Sequence, residues 1–261
     1  MTRCRDTQDN DAPAAVVAAH PDDEALWLSS ALAAADRIVF CYGDPFGKPK
    51  KAAARRKAVA ALPFSGVVDL HISESGARRF VDWSHPRLTS AGIEIADAAV
   101  RARYEANYAV LVARLRTALA GMHNVYTHNP WGEYGHPDHI QVHRAVAALQ
   151  DELGYTIWFT NYVGGASWAL ARLLAAQPRW RARRMVAPDR AMARLLMRIY
   201  RRHGAWTWNW THRWPAQETL YAMAPADDPR PRHGLAGEWL LDVAGLRWWP
   251  PPLRRSRRRL D

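Results

Sequence analysis

Short apolar runs recur along the first 160 residues of the chain and are typical of buried strands. They are Ala14–Ala19, Arg37–Tyr42, Val67–Ile72, Val125–Thr127 and Tyr155–Thr160. Between these runs, the start signals and the spacing of apolar residues predict helices. The predicted helices are Asp22–Ala35, Lys51–Leu62, Arg101–Ala120 and Pro137–Gln150. Strands that alternate with helices favour parallel pairing, with helices on both faces of one sheet.

The remaining segments have different patterns. Gly, Pro and Ser are scattered through Glu74–Gly92, which predicts an irregular surface segment. Asp189–Arg202 places apolar side chains on one side of a helix and arginines on the other, so an amphipathic basic helix is expected. Tryptophans alternate along Trp206–Trp214, a pattern that suits either contact with a sugar ring or a strand over a core edge. Gln217–Ala222 indicates a late strand.

Charge divides the chain into two parts. The 261 residues have a net charge of +11, and the whole excess lies in residues 178–261, which hold 18 arginines and 7 acidic residues. Eight of the 13 tryptophans lie in the same part. We therefore expect an α/β, Rossmann-like core over residues 1–177. A basic, Trp- and Arg-rich C-terminal extension over residues 178–261 is expected to pack on that core, with a flexible tail from about residue 250.

Composition also excludes several classes of protein. No stretch approaches the roughly 18 consecutive apolar residues of a membrane-spanning helix. Cys4 and Cys41 are the only cysteines, which excludes a disulfide scaffold and a Cys-rich zinc module. Met1–Asn10 is polar and is not typical of a secretory signal. A bacterial, cytoplasmic protein is expected, with peripheral contact of the basic helix and Arg254–Arg259 with an anionic membrane as a further possibility.

Two loops at predicted strand ends carry the candidate chemistry. His20–Glu24 (HPDDE) follows the first strand, and Thr127–His139 (THNPWGEYGHPDH) begins at the end of a later strand. In parallel sheets such loops face a common crevice. If the fold brings the loops together, His20, Asp23 and His139 offer three nitrogen and oxygen ligands of the kind that catalytic zinc uses.

Other residues of the same loops suit proton transfer. Asp22 would lie beside the metal as a base for the bound water. His136 would face the site from the start of a helix, oriented by Asp138. A simpler interpretation stays open, because a lone histidine is more often a cap or a core residue, and His-Pro-Asp-His alone is consistent with a capped helix entry.

The run AAHPDDE, with GHPDH about 115 residues later, resembles the PIG-L/LmbE family of zinc-dependent de-N-acetylases. The resemblance covers roughly Ala14 to Thr160. It implies one zinc ion per chain, held by His20, Asp23 and His139. It also implies that Asp22 is the general base.

The same resemblance implies roles for three further residues. His136 would be protonated, would stabilise the oxyanion and would protonate the leaving amine, with Asp138 holding that ring. Tyr134 would help to polarise the acetyl carbonyl. Weaker candidates for substrate contact are Arg55, Arg56, Trp131 and His212.

Some positions depart from the family pattern or have open roles. The family often has an arginine followed by a glutamate in the helix after the second strand, and no acid follows Arg55 and Arg56 in that helix. His128 and Glu133 flank the second motif, and His128 suits either a supporting role at the site or a strand end. His143 lies four residues after His139, on the same helix face, as a fourth ligand or a packed side chain.

The function implied is hydrolysis of the N-acetyl group of an N-acetylglucosamine-type sugar in a glycoconjugate, which releases acetate and a free amine. The basic extension indicates a substrate that is anionic or lipid-linked. One alternative is an amidase that cleaves a longer acyl group or a thiol conjugate from a glucosamine-type amine. A second alternative is a basic nucleic-acid- or membrane-binding protein without catalysis, but nucleic-acid binding leaves both His/Asp motifs unexplained.

Overall fold

The structure, a computed structural model, describes residues 12–175, 182–223 and 240–243. Its strands are β1 (Ala14–Ala18), β2 (Arg37–Phe40), β3 (Val67–Asp69), β4 (Leu88–Thr89), β5 (Gly92–Ile93), β6 (Asn124–Thr127), β7 (Thr156–Thr160), β8 (Tyr162–Val163), β9 (Ala182–Val186), β10 (Glu218–Met223) and β11 (Leu241–Asp242). Its α-helices are α1 (Asp23–Trp27), α2 (Pro49–Ala60), α3 (Ala98–Ala118), α4 (Pro137–Leu153), α5 (Trp168–Ala175) and α6 (Arg190–Arg202). Short 3-10 helices cover Ser29–Ala34, Ala77–Arg79 and Gly165–Ser167.

Seven strands form one sheet in the order β3–β2–β1–β6–β7–β10–β9. The first five run parallel, and β10 runs antiparallel to both of its neighbours. Strands β2 and β3 extend the sheet on one side of β1, and β6 and β7 then extend it on the opposite side. The strand order therefore reverses between β1 and β6, which is where open α/β sheets bind ligands. The prediction of a mostly parallel α/β sheet is confirmed.

Strand β1 lies at the centre of the sheet and is buried on both faces. Ala14, Val16 and Ala18 face a core that includes side chains of α1, α2 and α6. Ala15 and Val17 face a second core with side chains of α3 and α4. Since both faces are covered, every position of the strand is apolar, which accounts for the continuous run in the sequence.

The helix predicted over Asp22–Ala35 is broken in the structure. Helix α1 ends at Trp27, and Leu28 leaves the helical region with a φ of −131° before a 3-10 helix begins. Serine hydroxyls compete with helical hydrogen bonding, and the Ser30 hydroxyl donates to the Glu218 carboxylate. A tertiary contact thus overrides the continuous helical pattern.

The strand predicted over Val67–Ile72 ends early, at Asp69. The Asp69 carboxylate accepts the His71 backbone N–H at 2.8 Å, and His71 takes a left-handed φ of 50° that no strand tolerates. The segment Glu74–Gly92, predicted to be irregular, contains only one 3-10 turn and part of the short β4–β5 hairpin.

The described part of residues 178–261 is continuous with the sheet. Strand β10 pairs with β7 of the preceding part of the chain, and β9 pairs with β10. Helix α6 is amphipathic as predicted, begins at an Asp189 cap, and packs Leu196 and Tyr200 into the core. Residues 254–259 lie outside the described residues. Within the described ranges, no helix combines the length and the apolar character needed to cross a bilayer.

Glu218 is a buried carboxylate at the start of β10, with 2% of its surface exposed. It accepts hydrogen bonds from the hydroxyls of Ser30 and Tyr162. Burial disfavours the charged form and raises the pKa of Glu218 to about 7. Below its ordinary pKa the group is protonated in both the folded and the unfolded chain. As the pH rises toward 7, the unfolded chain releases the proton first, so this group costs folding stability.

We therefore predict that wild type loses folding stability between pH 5 and pH 8 through Glu218, and that Glu218→Gln does not. Relative to wild type, the unfolding free energy of the variant should be about 1–3 kcal/mol higher at pH 8 than at pH 5. Urea unfolding at both pH values measures it, with the exposed Glu152→Gln as control. An unchanged difference at the two pH values contradicts the buried-acid interpretation.

Candidate metal centre

The loops after β1 and β6 meet where the strand order reverses. In the first loop, the His20 carbonyl accepts the Asp23 backbone N–H at 3.2 Å, and Asp22 has a left-handed φ of 106°. In the second loop, Gly132 and Gly135 have φ values of 72° and 91°. These turns bring side chains from both loops into one crevice.

The three predicted metal ligands converge in this crevice. Asp23 Oδ2 lies 3.1 Å from His20 Nδ1 and 3.2 Å from His139 Nε2. All three residues are buried, with 5% or less of their surface exposed. The tertiary structure thus brings together donor atoms from two loops that are distant in sequence.

Glu133 holds the ring of His139 in place. Its Oε2 lies 2.6 Å from His139 Nδ1, and its Oε1 accepts the Asn129 backbone N–H at 3.0 Å. The carboxylate therefore fixes a proton on Nδ1 and leaves Nε2 facing Asp23. His139 Nε2 is buried and faces Asp23 Oδ2 at 3.2 Å without a well-directed hydrogen bond. A buried imidazole nitrogen that faces a carboxylate oxygen, and whose ring is oriented by a second carboxylate on the other side, fits a metal ligand.

Charge in the crevice also suits a cation. The buried carboxylates are Asp22, Asp23, Glu133 and Asp138. Burial alone lowers the pKa of a histidine, but Asp138 and Asp23 raise the pKa of His20 to about 9, and Asp23 and Glu133 raise the pKa of His139 to about 10. Two imidazole nitrogens and one carboxylate oxygen form a donor set typical of zinc sites with an open position. The residues present therefore fit a zinc ion.

His128 and His143, whose roles were open, have other partners. His128 Nε2 accepts the Ala19 backbone N–H at 2.8 Å, and its Nδ1 lies 3.1 Å from Glu133 Oε2. The His128 ring stacks on His139 with 3.9 Å between centroids. His143 Nδ1 lies 2.8 Å from the His128 carbonyl. Both nitrogens of His128 are engaged in hydrogen bonds, and its ring supports that of His139.

Asp22 has one fixed and one free carboxylate oxygen. Its Oδ2 accepts hydrogen bonds from the backbone N–H and the hydroxyl of Thr207, both at 2.7 Å. Its Oδ1 is buried without a partner. Burial, and then the charge of Asp23, raise the pKa of Asp22 to about 7. Sequence analysis missed Thr207, because a single threonine among tryptophans carries no local signal of a contact with residue 22.

His136 and Asp138 are arranged differently from the expectation. His136 caps α4, and its Nδ1 accepts the Asp138 backbone N–H at 3.3 Å. The Asp138 carboxylate instead lies 3.2 Å from His20 Nε2. Burial, and then the positive charges of His139 and His20, hold the pKa of His136 well below its ordinary value. The Asp138 carboxylate therefore contacts His20 and not the His136 ring, contrary to the expectation that it holds that ring.

Tyr134 lies beside the ligand cluster. Its ring centroid is 5.5 Å from that of His139 and 5.9 Å from that of His136. The Arg78 guanidinium lies 5.6 Å from the same ring. Tyr134 lines the cavity beside the predicted ligands, and its role at the substrate carbonyl stays a prediction.

The two arginines predicted as weak substrate contacts have different surroundings. Arg55 is buried, donates to Glu74 at 2.7 Å and to the Tyr42 carbonyl at 3.3 Å, and lines the cavity above the ligand cluster. Glu74 follows β3 and supplies the acid that is missing from α2 itself. Arg56 is exposed, pairs with Asp44 at 2.6 Å and does not line this cavity.

Trp131 and His212, also predicted as weak substrate contacts, are core residues. The Trp131 indole is fully buried and donates to the Tyr162 carbonyl at 2.7 Å. His212 Nδ1 accepts the Trp208 indole N–H at 3.1 Å, and its ring packs edge-on against Trp214. Neither residue lines the cavity. Large aromatic surface is stabilised by burial, and here that effect outweighs the sugar-binding interpretation.

A cavity of about 710 Å³ opens above the ligand cluster. The buried part of its lining, here called the floor, consists of His20, Asp23, His136 and Asp138, and Tyr134 and Thr207 line it nearer the surface. The volume is typical of small-molecule sites and is large enough for a sugar with a substituent.

Comparison with known proteins gives short sequence matches and a shared fold. No family model matches the chain. Over 98 residues, or 38% of the chain and 31% of the relative, it is 40% identical to 1D-myo-inositol 2-acetamido-2-deoxy-alpha-D-glucopyranoside deacetylase of Rhodococcus opacus. Over 39 residues, 13% of each protein, it is 54% identical to the enzyme of the same name from Mycolicibacterium smegmatis. The chain thus spans less than a third of the length of these relatives.

Two solved structures show the fold over most of the chain. A zinc-inhibited form of teicoplanin deacetylase matches with a TM-score of 0.52 and 12% identity, covering 82% of this chain and 99% of the other. A deacetylase in complex with teicoplanin matches with a TM-score of 0.50 and 14% identity, covering 82% of this chain and 100% of the other. The chain therefore has the α/β fold of these deacetylase structures.

We predict that Glu133→Gln weakens zinc binding about 10- to 100-fold, because the amide no longer fixes the His139 ring as a carboxylate does. His139→Ala should remove measurable tight binding. Competition with a zinc chelator measures both, with the exposed Glu94→Gln as control. Unchanged zinc affinity in Glu133→Gln would show that the contact does not support a metal ligand.

Proposed function

We propose that the protein is a zinc-dependent de-N-acetylase that acts on an N-acetylglucosamine-type sugar. The observation that carries this proposal is the contact of His20 and His139 with Asp23, the sequence neighbour of Asp22, whose Oδ1 is buried without a partner. The names of the two sequence relatives support the acetamido-sugar, and the resemblance to the PIG-L/LmbE motifs supports the same roles.

His20, Asp23 and His139 would hold the zinc ion. When bound, zinc polarises the carbonyl of the acetamide and lowers the pKa of a water molecule to about 7. Glu133 keeps His139 Nε2 directed at the ion. The walls of the crevice exclude bulk water from these buried side chains, which strengthens every electrostatic interaction there.

Asp22 accepts the proton of the attacking water at Oδ1. Thr207 fixes Oδ2 with two hydrogen bonds, so only Oδ1 is available. The water oxygen bonds to the acetyl carbon, and Asp22 then returns the proton to the departing nitrogen as the C–N bond breaks. Acetate and the free amine leave. Burial lowers the pKa of His136, which favours Asp22 as the donor of this proton, so Asp22 serves as both base and acid.

His136 and Tyr134 stabilise the negative oxygen of the tetrahedral intermediate. Because His136 Nδ1 accepts a backbone N–H, the neutral ring carries its proton on Nε2 and donates from there. The Tyr134 hydroxyl is a second donor, since its pKa is held well above the ordinary value by burial and it stays protonated. Donors that are fixed before the reaction stabilise such charge at little reorganisation cost.

The test of the proposal is acetate release by the zinc-loaded protein across N-acetylglucosamine, its glycosides and its phosphorylated forms. Matched substrates with a longer acyl group or a thiol conjugate distinguish the amidase alternative. Release from an N-acetylglucosaminide supports the proposal. Release only from the longer amides, or from none of the substrates with zinc bound, overturns it.

We predict that Asp22→Asn keeps zinc bound and lowers kcat by at least about 100-fold, because an amide does not accept the water proton. Zinc content and acetate release are measured on the same samples, with Asp151→Asn on the exposed end of α4 as control. Near wild-type turnover in Asp22→Asn rules out the assigned base.

We predict that Thr207→Val lowers kcat about 10-fold with little change in KM, because a charge-assisted hydrogen bond to Asp22 Oδ2 is lost. Thr207→Ser keeps the hydroxyl and should stay within about 3-fold of wild type. Thr211→Val, an exposed position in the same segment, is the control. Equal turnover in the valine and serine variants of residue 207 would show that the hydroxyl has no positioning role.

A further inference from the structure

The residues that line the cavity include more cationic than acidic side chains. Six cationic residues line it: Lys48, Lys51, Arg55, Arg78, Arg79 and Arg103. Arg55 is paired with Glu74 at 2.7 Å. Among the described residues, the other five make no ion pair with a carboxylate.

The remaining acids of the cavity lie at its floor. Asp23 and Asp138 contact the histidines there. A zinc ion bound at the floor would compensate the charge of these two carboxylates. Burial, and then the neighbouring Arg55, lower the pKa of Lys51, which reflects the crowding of positive charge on this side.

Aromatic rings lie among these cations. Phe46 and Phe80 line the cavity with 51% and 38% of their surface exposed. The Arg103 guanidinium lies 4.7 Å from the centre of the Phe46 ring. The wall therefore combines apolar surface, suited to the face of a sugar ring or its substituent, with charged groups that bind phosphate or carboxylate.

We propose that this wall, formed by Lys48, Lys51, Arg78, Arg79 and Arg103, is a binding subsite for an anionic group on the aglycone of the substrate. The inference rests on the proposed function for the position of the sugar, with its acetamide at the floor. The position of this subsite differs from the expectation from the sequence, in which the basic C-terminal extension indicated an anionic substrate. The net positive charge lies in residues 178–261, but among the described residues of that part only Thr207 lines the cavity.

The test measures binding of the amine products, so it does not depend on turnover. Calorimetry on the zinc-loaded protein compares methyl glucosaminide, carboxymethyl glucosaminide and glucosamine 1-phosphate. We expect at least one of the anionic ligands to bind about 10-fold or more tightly than the methyl glycoside. The two anionic ligands distinguish a carboxylate from a phosphate. The preference should fall as NaCl is raised from 0.05 M to 0.5 M, because salt screens partly exposed charges.

A matched pair of variants distinguishes a local subsite from a general effect of net charge. Lys51→Gln with Arg79→Gln removes two cations from the wall. Arg194→Gln with Arg198→Gln removes two exposed cations from α6 that do not line the cavity. The wall variant should lose most of the preference for the anionic ligand and keep its affinity for the methyl glycoside within about 2-fold. The α6 variant should behave as wild type.

The binding results test the anionic subsite independently of whether the protein releases acetate. Equal binding of neutral and anionic ligands, or an equal loss of preference in both variants, overturns the subsite even if acetate is released. A preference for an anion that only the wall variant loses supports the subsite even if no acetamide is hydrolysed.

Discussion

Buried negative charge at the carboxyl ends of β1 and β6 is the constraint on which the site depends. Each carboxylate removed from water costs several kcal/mol unless it is paired and hydrogen-bonded. Glu133 meets this requirement through two imidazoles and a backbone N–H, and Asp23 through His20 and His139. The left-handed backbone of Asp22 and Glu133 shows that the loops are held in strained conformations to make these contacts.

The segment after α5 helps to build the site, although it lies far away in sequence. Tyr200 donates to Glu24 at 2.7 Å, and the Trp214 indole donates to the Ala25 carbonyl at 2.6 Å. Thr207 donates to Asp22 from between these two anchors. Trp208, next to Thr207, packs on Trp27 and Tyr134. Trp214 is buried, whereas Trp210 is exposed, so only part of the aromatic surface of this segment packs on the core.

Acidic and basic side chains lie at different depths in the cavity. The floor is acidic and histidine-rich, which suits a metal cation, and the wall is cationic and aromatic, which suits an anionic glycoside. A net charge summed along the chain does not reveal this division, since it records how many charges a segment has and not which way they face. The cations of the wall come from residues 48–103, within the part of the chain whose charges balance.

The sequence by itself determined the alternation of buried strands and helices and the two polar loops at strand ends, because period and strand length are local properties. It also named His20, Asp23 and His139, because both motifs follow predicted strands and contain the nitrogen and oxygen donors that zinc prefers. Only the tertiary structure decided the break of the first helix, the support of His139 by Glu133, the hydrogen bonds of Thr207 to Asp22 and the contact of the Asp138 carboxylate with His20. Those features depend on burial and on contacts between distant residues. Local patterns carry neither.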